Sequence, residues 1–410
     1  MAAARRPLVT GGPPEIRRLT GDDDLEPLLD LAIRSFGDSG GRDRRLADAR
    51  ESIAAGRHLG AFDGGRLLGT AKFLDLRQWW HGRSLPTAGV ANVTVAPEER
   101  GRGVGQALMR ALVGEMAARG YPLSVLYPAT ATVYRRVGYE LAGAQYSVSI
   151  PARSLRSLLP PDVPAGDARP GLRRAGPDDA AEIDAVIGRV HELGRACGPV
   201  TFDAGVSRRQ LDDEDLFCYL AEDGFLAYSW SGGHSEIQVY NVVAGSAPTA
   251  RALWSIIASH DSMAGTVRAF VGPADPVSWL TTEPDVSLTR AYPWMLRVVD
   301  AAAAIAGRGF PAAADVAVRL HLADELCPAN AGLWSLAVSG GQGTLRRRGA
   351  GDAAEPAAPL VLGMRGFAAL YAGTPVATLR AAGLAAGGGP ASDAALDGAF
   401  AATSYMLDYF

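Results

Sequence analysis

The sequence predicts a mixed α/β protein made of two related units and a third region of different texture. Three observations carry this. Apolar runs of strand length alternate with amphipathic helix patterns through the first part of the chain. A strand, an acidic helix cap and an apolar helix then recur in the same order beyond a stretch rich in proline and small residues, Arg153–Arg169. From about Val299 the pattern shifts to strands and short helical pieces. A chain of 410 residues is long for one core, and about two to three domains is the expected number. The divisions expected are 1–152, 170–298 and 299–410.

In order, Ile16–Leu19 reads as a strand, and Thr20 or the Gly21–Asp24 cluster caps a helix whose apolar face is Leu25, Leu28, Leu29, Ala32, Ile33 and Phe36. Asp43 is placed to act as N-cap of a second helix running to Ala55. Leu59–Asp63 and Arg66–Leu76 flank Gly64-Gly65 as a hairpin. Arg77–Arg83 is expected to be a loop before the strand ending at Pro97. A helix from Gln106, a strand Pro122–Tyr127, a short helix Thr130–Val137 and a last strand through Ile150 complete the unit.

The repeat begins where Leu172-Arg173-Arg174 with Asp178-Asp179 echoes Ile16-Arg17-Arg18 with Asp22-Asp23-Asp24. Glu236–Val243 is strand-like and Ala250–Ser259 helical. Further on, Ala314–Leu320 and Leu333–Val338 read as strands, while Leu360–Tyr371, Val376–Ala382 and Ala394–Ala401 read as helical. The aromatic end, Ser404–Phe410, is expected to be docked.

Composition excludes several function classes. A formal charge of -4 and a pI near 5.9 make no electrostatic case for nucleic acid or a membrane surface. No apolar run approaches the ~20 residues that span a bilayer, and a cytoplasmic protein is expected. Cys197, Cys218 and Cys327 are scattered, as are six histidines, so no metal site is expected. Lys72 is the only lysine.

The chemistry is concentrated in Arg100-Gly101-Arg102-Gly103-Val104-Gly105, between an apolar strand and a helix start. Glycines let a backbone approach a pyrophosphate, the first-turn N–H groups point outward, and arginine matches phosphate geometry. An ordinary strand-to-helix turn with solvated arginines is the alternative from these six residues alone. The corresponding turn of the repeat, Ala244–Thr249, has neither the arginines nor the glycine spacing, so the second copy is expected to lack a phosphate site.

This motif fits the Arg/Gln-x-x-Gly-x-Gly/Ala signature of the GNAT superfamily. Together with Val93–Pro97, Gly120-Tyr121-Pro122 and Tyr134–Tyr139, and more loosely Asp261–Met263, Trp279–Thr282 and Phe410, it resembles the enhanced-intracellular-survival (Eis) family of N-acetyltransferases. The resemblance implies tandem GNAT-like domains, the second degenerate, followed by a sterol-carrier-protein-like domain. It implies acetyl-CoA as co-substrate, with Val93, Thr94 and Val95 along its pantetheine arm. Arg100, Gly101, Arg102, Gly103, Val104, Gly105 and Gln106 then hold the pyrophosphate, and Ala129 and Thr130 line the coenzyme. Tyr134 corresponds to the general acid and the terminal carboxylate of Phe410 to the general base. A free C-terminal carboxylate, with a pKa of about 3.3 to 3.7, is ionised at neutral pH.

Phe36 and Asp38 correspond to an aromatic wall and an acidic group of an amine pocket. Asp408 and Tyr409 stand where the family can carry an acid just before the last residue, so a carboxylate here is displaced or missing. The implied acceptors are amines of small cationic or aromatic-amine molecules, in a homohexamer. A protein-lysine acetyltransferase and a non-catalytic binder of an apolar ligand are the alternatives.

Overall fold

The computed structural model describes residues 12–21, 24–37, 41–159, 171–349 and 358–410. In the first repeat, β1 (Glu15–Arg18) leads to α1 (Leu25–Phe36), α2 (Arg42–Ala54), β2 (His58–Asp63), β3 (Arg66–Trp80) and β4 (Arg83–Val95). There follow α3 (Val104–Ala118), β5 (Leu123–Leu126), α4 (Ala131–Arg135) and β6 (Glu140–Pro151). The second repeat opens with β7 (Arg173–Ala175), α5 (Ala180–Leu193), β8 (Cys197–Thr201), α6 (Ala204–Leu211), β9 (Phe217–Ala221) and β10 (Gly224–Ser231). It closes with β11 (Glu236–Ala244), α7 (Ala247–Ala258), β12 (Thr266–Val271), α8 (Val277–Leu280) and β13 (Ser287–Val298). The third region holds α9 (Ala301–Gly307), β14 (Val316–Ala323), β15 (Gly332–Ser339), β16 (Gln342–Arg347) and β17 (Leu360–Gly363). It ends with α10 (Met364–Tyr371), α11 (Val376–Ala381), β18 (Ala385–Gly387) and α12 (Pro390–Phe400).

The chain divides into two compact units. The first gathers the described residues up to Leu74 with Gly89–Gly120 and Ala129–Val137. Its strands lie in the order β1-β2-β3-β4, β1 and β3 both antiparallel to β2. Arg17 fastens the strand-to-helix junction, holding Asp24 at 3.1 Å while its guanidinium lies 3.7 Å over the Phe62 ring. The echo in the repeat is structural too, since Arg173 holds Asp179 at 2.8 Å where β7 gives way to α5. Helix α3 turns Leu108, Met109, Leu112, Val113 and Met116 completely inward. Asp43 is not an N-cap: α2 starts at Arg42 behind Gly41, and Asp43 sits in its first turn.

The second unit comprises Asp75–Ala88, Tyr121–Pro128 and Gly138–Phe410. Its larger sheet has the order β5-β13-β6-β12-β11-β10-β9-β7. The middle of that order is a reciprocal exchange between repeats. The last strand of the second repeat, β13, pairs with β5 of the first, and the last strand of the first, β6, pairs with β12 of the second. The two exchanged strands also pair with each other, from Ser287↔Ser149 to Leu296↔Glu140. Helix α7 packs Leu253, Trp254 and Ile257 on the buried Ile237, Val239 and Val267. The third region forms its own sheet, β16-β15-β14-β17-β18. Its fully buried Arg308 lies among the rings of Trp80, Phe310, Tyr371 and Phe400, 4.8 to 5.4 Å from their centroids.

Two expected elements differ. Arg77–Arg83 is no loop: β3 runs on to Trp80, turns at His81 (φ 49°) and Gly82 (φ 80°), and returns as β4. Two of its side chains are paired inside, Trp80 Nε1 donating to Gln78 Oε1 (3.0 Å) and Gln78 Nε2 to Gly198 O (2.8 Å). Leu360–Tyr371 does not begin as helix. Its first four residues form β17, parallel to β14, and α10 starts only at Met364.

Candidate active site

In the first unit the glycine-rich turn leaves the start of α3 open. Gly103, at φ +83°, is the N-cap and carries no side chain to bond the first-turn N–H groups; Gly101 stands at φ +79°. Both are left-handed conformations that L side chains rarely adopt. The donors therefore face outward at the positive end of the helix dipole, the arrangement that receives an anion. Arg100 is exposed beside them. Arg102 is held by an acid: buried Glu99 takes Arg102 at 2.5 Å and Arg66 at 2.8 Å.

Upstream, Asn92 (φ 50°) interrupts the extended backbone of β4 just before Val93, Thr94 and Val95. Thr94 is buried and its hydroxyl is 2.8 Å from that of Thr70. Downstream, Ala129 and Thr130 are exposed, and Thr130 is the extended N-cap of α4. Tyr134 is buried within α4. The following Arg136 donates to Gln106 Oε1 (3.4 Å) in the first turn of α3, so this unit brings the Tyr134 helix beside the cradle. Of Phe36 the structure gives only its place at the end of α1, and Asp38 lies outside the described residues.

The second unit holds the chain's end. Tyr405 N donates to Cys197 O (3.0 Å) and Met406 N to Ala144 O (3.2 Å). Ser404 Oγ donates to Ala372 O (3.1 Å) and Gln145 Nε2 to Leu407 O (2.7 Å). Met406 and Leu407 are buried. Gly198 is essential to this path, because at φ +107° a Cβ there would stand 2.1 Å from Tyr405 O. The aromatic terminus is docked, as its composition suggests.

Tyr127 organises the last three residues, a role that the sequence reading missed. Its hydroxyl donates to Asp408 O (2.8 Å), and its ring lies 5.3 Å from Tyr292, 4.7 Å from Tyr409 and 5.6 Å from Phe410. The available signal was an aromatic closing an apolar strand just ahead of Pro128. Burial, with Asp408 nearby, pushes the Tyr127 phenol above its ordinary value, so it keeps its proton. Asp408 retains some exposed surface as a residue, yet its carboxyl is so enclosed that burial pushes it up to about 7. Tyr409 is 62% exposed. Among the described residues no cluster of histidine, cysteine and acidic groups could hold a metal.

Family models agree with this architecture. Two described as acetyltransferase (GNAT) domains match residues 15–142 and 203–298, and a sterol carrier protein domain matches 301–407. The N-acetyltransferase Eis of Mycobacterium tuberculosis is 28% identical over 306 residues, 70% of this chain and 75% of that protein. An uncharacterised N-acetyltransferase of Streptomyces avermitilis is 29% identical over 391 residues, covering 89% and 92%. Among solved structures, a GCN5-related N-acetyltransferase from Kribbella flavida is 43% identical, covers 97% of this chain and 99% of its own, and superposes with a TM-score of 0.89. Eis1 from Mycobacterium abscessus shares the fold at 24% identity and a TM-score of 0.76, covering 97% and 100%. With tandem acetyltransferase domains, an open glycine-rich helix start and relatives along nearly its whole length, the chain belongs to the Eis family of GNAT N-acetyltransferases.

Proposed function

We propose that the enzyme moves an acetyl group from acetyl-CoA to an amine of a small cationic or aromatic-amine molecule. The carrying observation is the uncapped start of α3, with Gly101 and Gly103 left-handed and Arg100 exposed beside it. In this reading Arg100–Gln106 receive the pyrophosphate, Val93–Val95 run along the pantetheine arm, and Ala129 and Thr130 line it. The co-substrate supplies an activated thioester. The protein must then take a proton from the acceptor amine and give one to the departing thiolate. Tyr134 gives the proton, and the terminal carboxylate of Phe410 takes one, directly or through a water. Phe36, Asp38, Asp408 and Tyr409 shape the acceptor pocket.

Residues 1–152 are then the catalytic domain, 170–298 its degenerate copy, and 299–410 the domain that delivers the C-terminus. The enzyme works as a homo-oligomer, a hexamer on the family pattern. The exposed Met263 (65%), Leu288 (60%) and Trp279 (71%) of the second repeat support an interface there. No described helix is long and apolar enough to cross a membrane. Three buried, unbridged thiols suit a reducing compartment such as the cytoplasm.

The test is thiol release from acetyl-CoA across a panel of amines. Turnover with polyamines or aromatic amines is expected. Turnover confined to lysine in peptides would replace this reading with a protein acetyltransferase, and none with any amine would overturn it.

A further inference from the structure

Strands β11 and β12 pair in parallel only from Glu236↔Thr266 to Val239↔Ala269. Beyond that, β11 runs on to Ala244 against β10 and β12 to Val271 against β6, without pairing with each other, so the two strands part. A cleft of about 760 Å³ is lined by Val242–Ala244 of one strand, Gly272–Asp275 just past the other, the end of α5, and Tyr405 and Leu407 of the docked tail. These are the second repeat's counterparts of the stretches assigned above to the coenzyme. Asn241-Val242-Val243-Ala244 aligns with Asn92-Val93-Thr94-Val95, and Pro273-Ala274-Asp275 with Pro128-Ala129-Thr130. The arm-binding half of the motif is thus kept in outline.

The phosphate half is shut. At the start of α7, Ser246 Oγ accepts from Thr249 N (3.4 Å), and Pro248 removes one first-turn donor. Asp223 completes the closure: its carboxylate accepts from the Thr249 hydroxyl and its carbonyl from Gly245 N (2.7 Å). A carboxylate therefore stands near the helix start where the first repeat offers arginine. An anion is repelled there, while the cleft beyond stays accessible.

The cleft also carries unmet polar capacity. His191, 2% exposed on α5, and His81 both line it, and the Nε2 atom of each is buried without a hydrogen-bond partner. Burial holds His191 at about 4, so its imidazole is neutral at physiological pH. A buried polar atom left unpaired is costly, and a ligand group able to bond it removes the cost. The parted strand edges offer backbone groups of the kind that pair with an extended amide chain.

We propose that this cleft of the second repeat is a separate binding site for a phosphate-free, amide-bearing chain of the pantetheine type. The alignment leans on the coenzyme reading of the first repeat, whereas the closed α7 start and the unpartnered His191 do not. The experiment is titration of the full-length protein with D-pantetheine in saturating coenzyme A, which fills the first repeat's cradle.

One further equivalent of pantetheine should bind. Ala274→Trp, which plugs the exposed rim, should abolish that binding. His191→Phe, which fills a similar volume without the nitrogen, should weaken it about tenfold, the equivalent of about 1.4 kcal/mol. Circular dichroism checks that both variants fold, and two independent substitutions guard against a fault in one. No further equivalent up to about 10 mM, or binding untouched by both variants, overturns the proposal. Displacement of this second pantetheine by coenzyme A overturns the exclusion of phosphates. Loss of coenzyme A binding altogether would instead count against the first-repeat reading, since the Ala274 and His191 effects on pantetheine are read independently.

Discussion

Gly103 has two tasks at one position: it holds a left-handed conformation, and as N-cap it leaves the first-turn donors of α3 unbonded. Gly103→Ala should cost roughly 1–2 kcal/mol of stability from the conformation alone. It should raise the KM for acetyl-CoA more than it lowers kcat, a split that steady-state kinetics reads directly. A different residue-scale dependence lies far from the cradle. Arg297, 1% exposed, holds both oxygens of Asp324 at 2.9 Å. Removing it leaves a buried carboxylate with only N–H partners from Leu326, Cys327 and Asn330. Arg297→Leu should therefore lower unfolding free energy by about 3–5 kcal/mol in a denaturant titration.

Among elements, the C-terminal segment depends on β8. Gly198→Ala places a methyl 2.1 Å from Tyr405 O at a strained φ, so the strand and the tail cannot both keep their places. Limited proteolysis should then release the last residues, and turnover should fall with them. The β2–β3 pair makes a pH prediction. His58 faces Lys72 across the two strands, and burial lowers the histidine from 6.5 to about 3. The folded state keeps it neutral while the unfolded chain protonates it below pH 6.5, so this contribution to stability is lost as pH falls from 6.5 toward 3. The slope approaches about 1.4 kcal/mol per pH unit. His58→Gln should flatten the acid limb of urea stability; an unchanged limb would show that His58 is already protonated in the fold.

The elements also show what a sequence can disclose. The Arg/Gly turn was legible because its glycines and its place between strand and helix are local signals. Trp79 and Trp80 misled because a strand with polar neighbours looks like a loop until Gln78 and Trp80 bond to each other. Leu360–Gly363 misled because four apolar residues ahead of a helix have no period of their own. Tyr127 and Tyr292 were invisible as partners, since the ring pair joins segments 165 positions apart.

At the scale of the molecule, the exchanged strands decide what can be separated. β5 finds its antiparallel neighbour in β13, and β6 finds both of its neighbours in the second repeat. A fragment ending at Ala152 keeps the cradle and Tyr134 but exposes unpaired strand edges, and it should aggregate, as light scattering would show. The repeat was legible from its Arg and Asp pattern, but its exchange was not, because strand pairing across more than a hundred residues leaves no local trace. The third region closes the design: its last residues return to Ala144, Gln145 and Tyr127 of the first repeat. A tail bonded so closely is more than packing if its carboxylate is the base.

The most direct test therefore extends the chain by two glycines beyond Phe410. This keeps every side chain and moves the carboxylate. The expected kcat is about 100-fold lower or more with acetyl-CoA affinity essentially unchanged, matching the loss in Tyr134→Phe. A kcat equal to that of the native chain would contradict it.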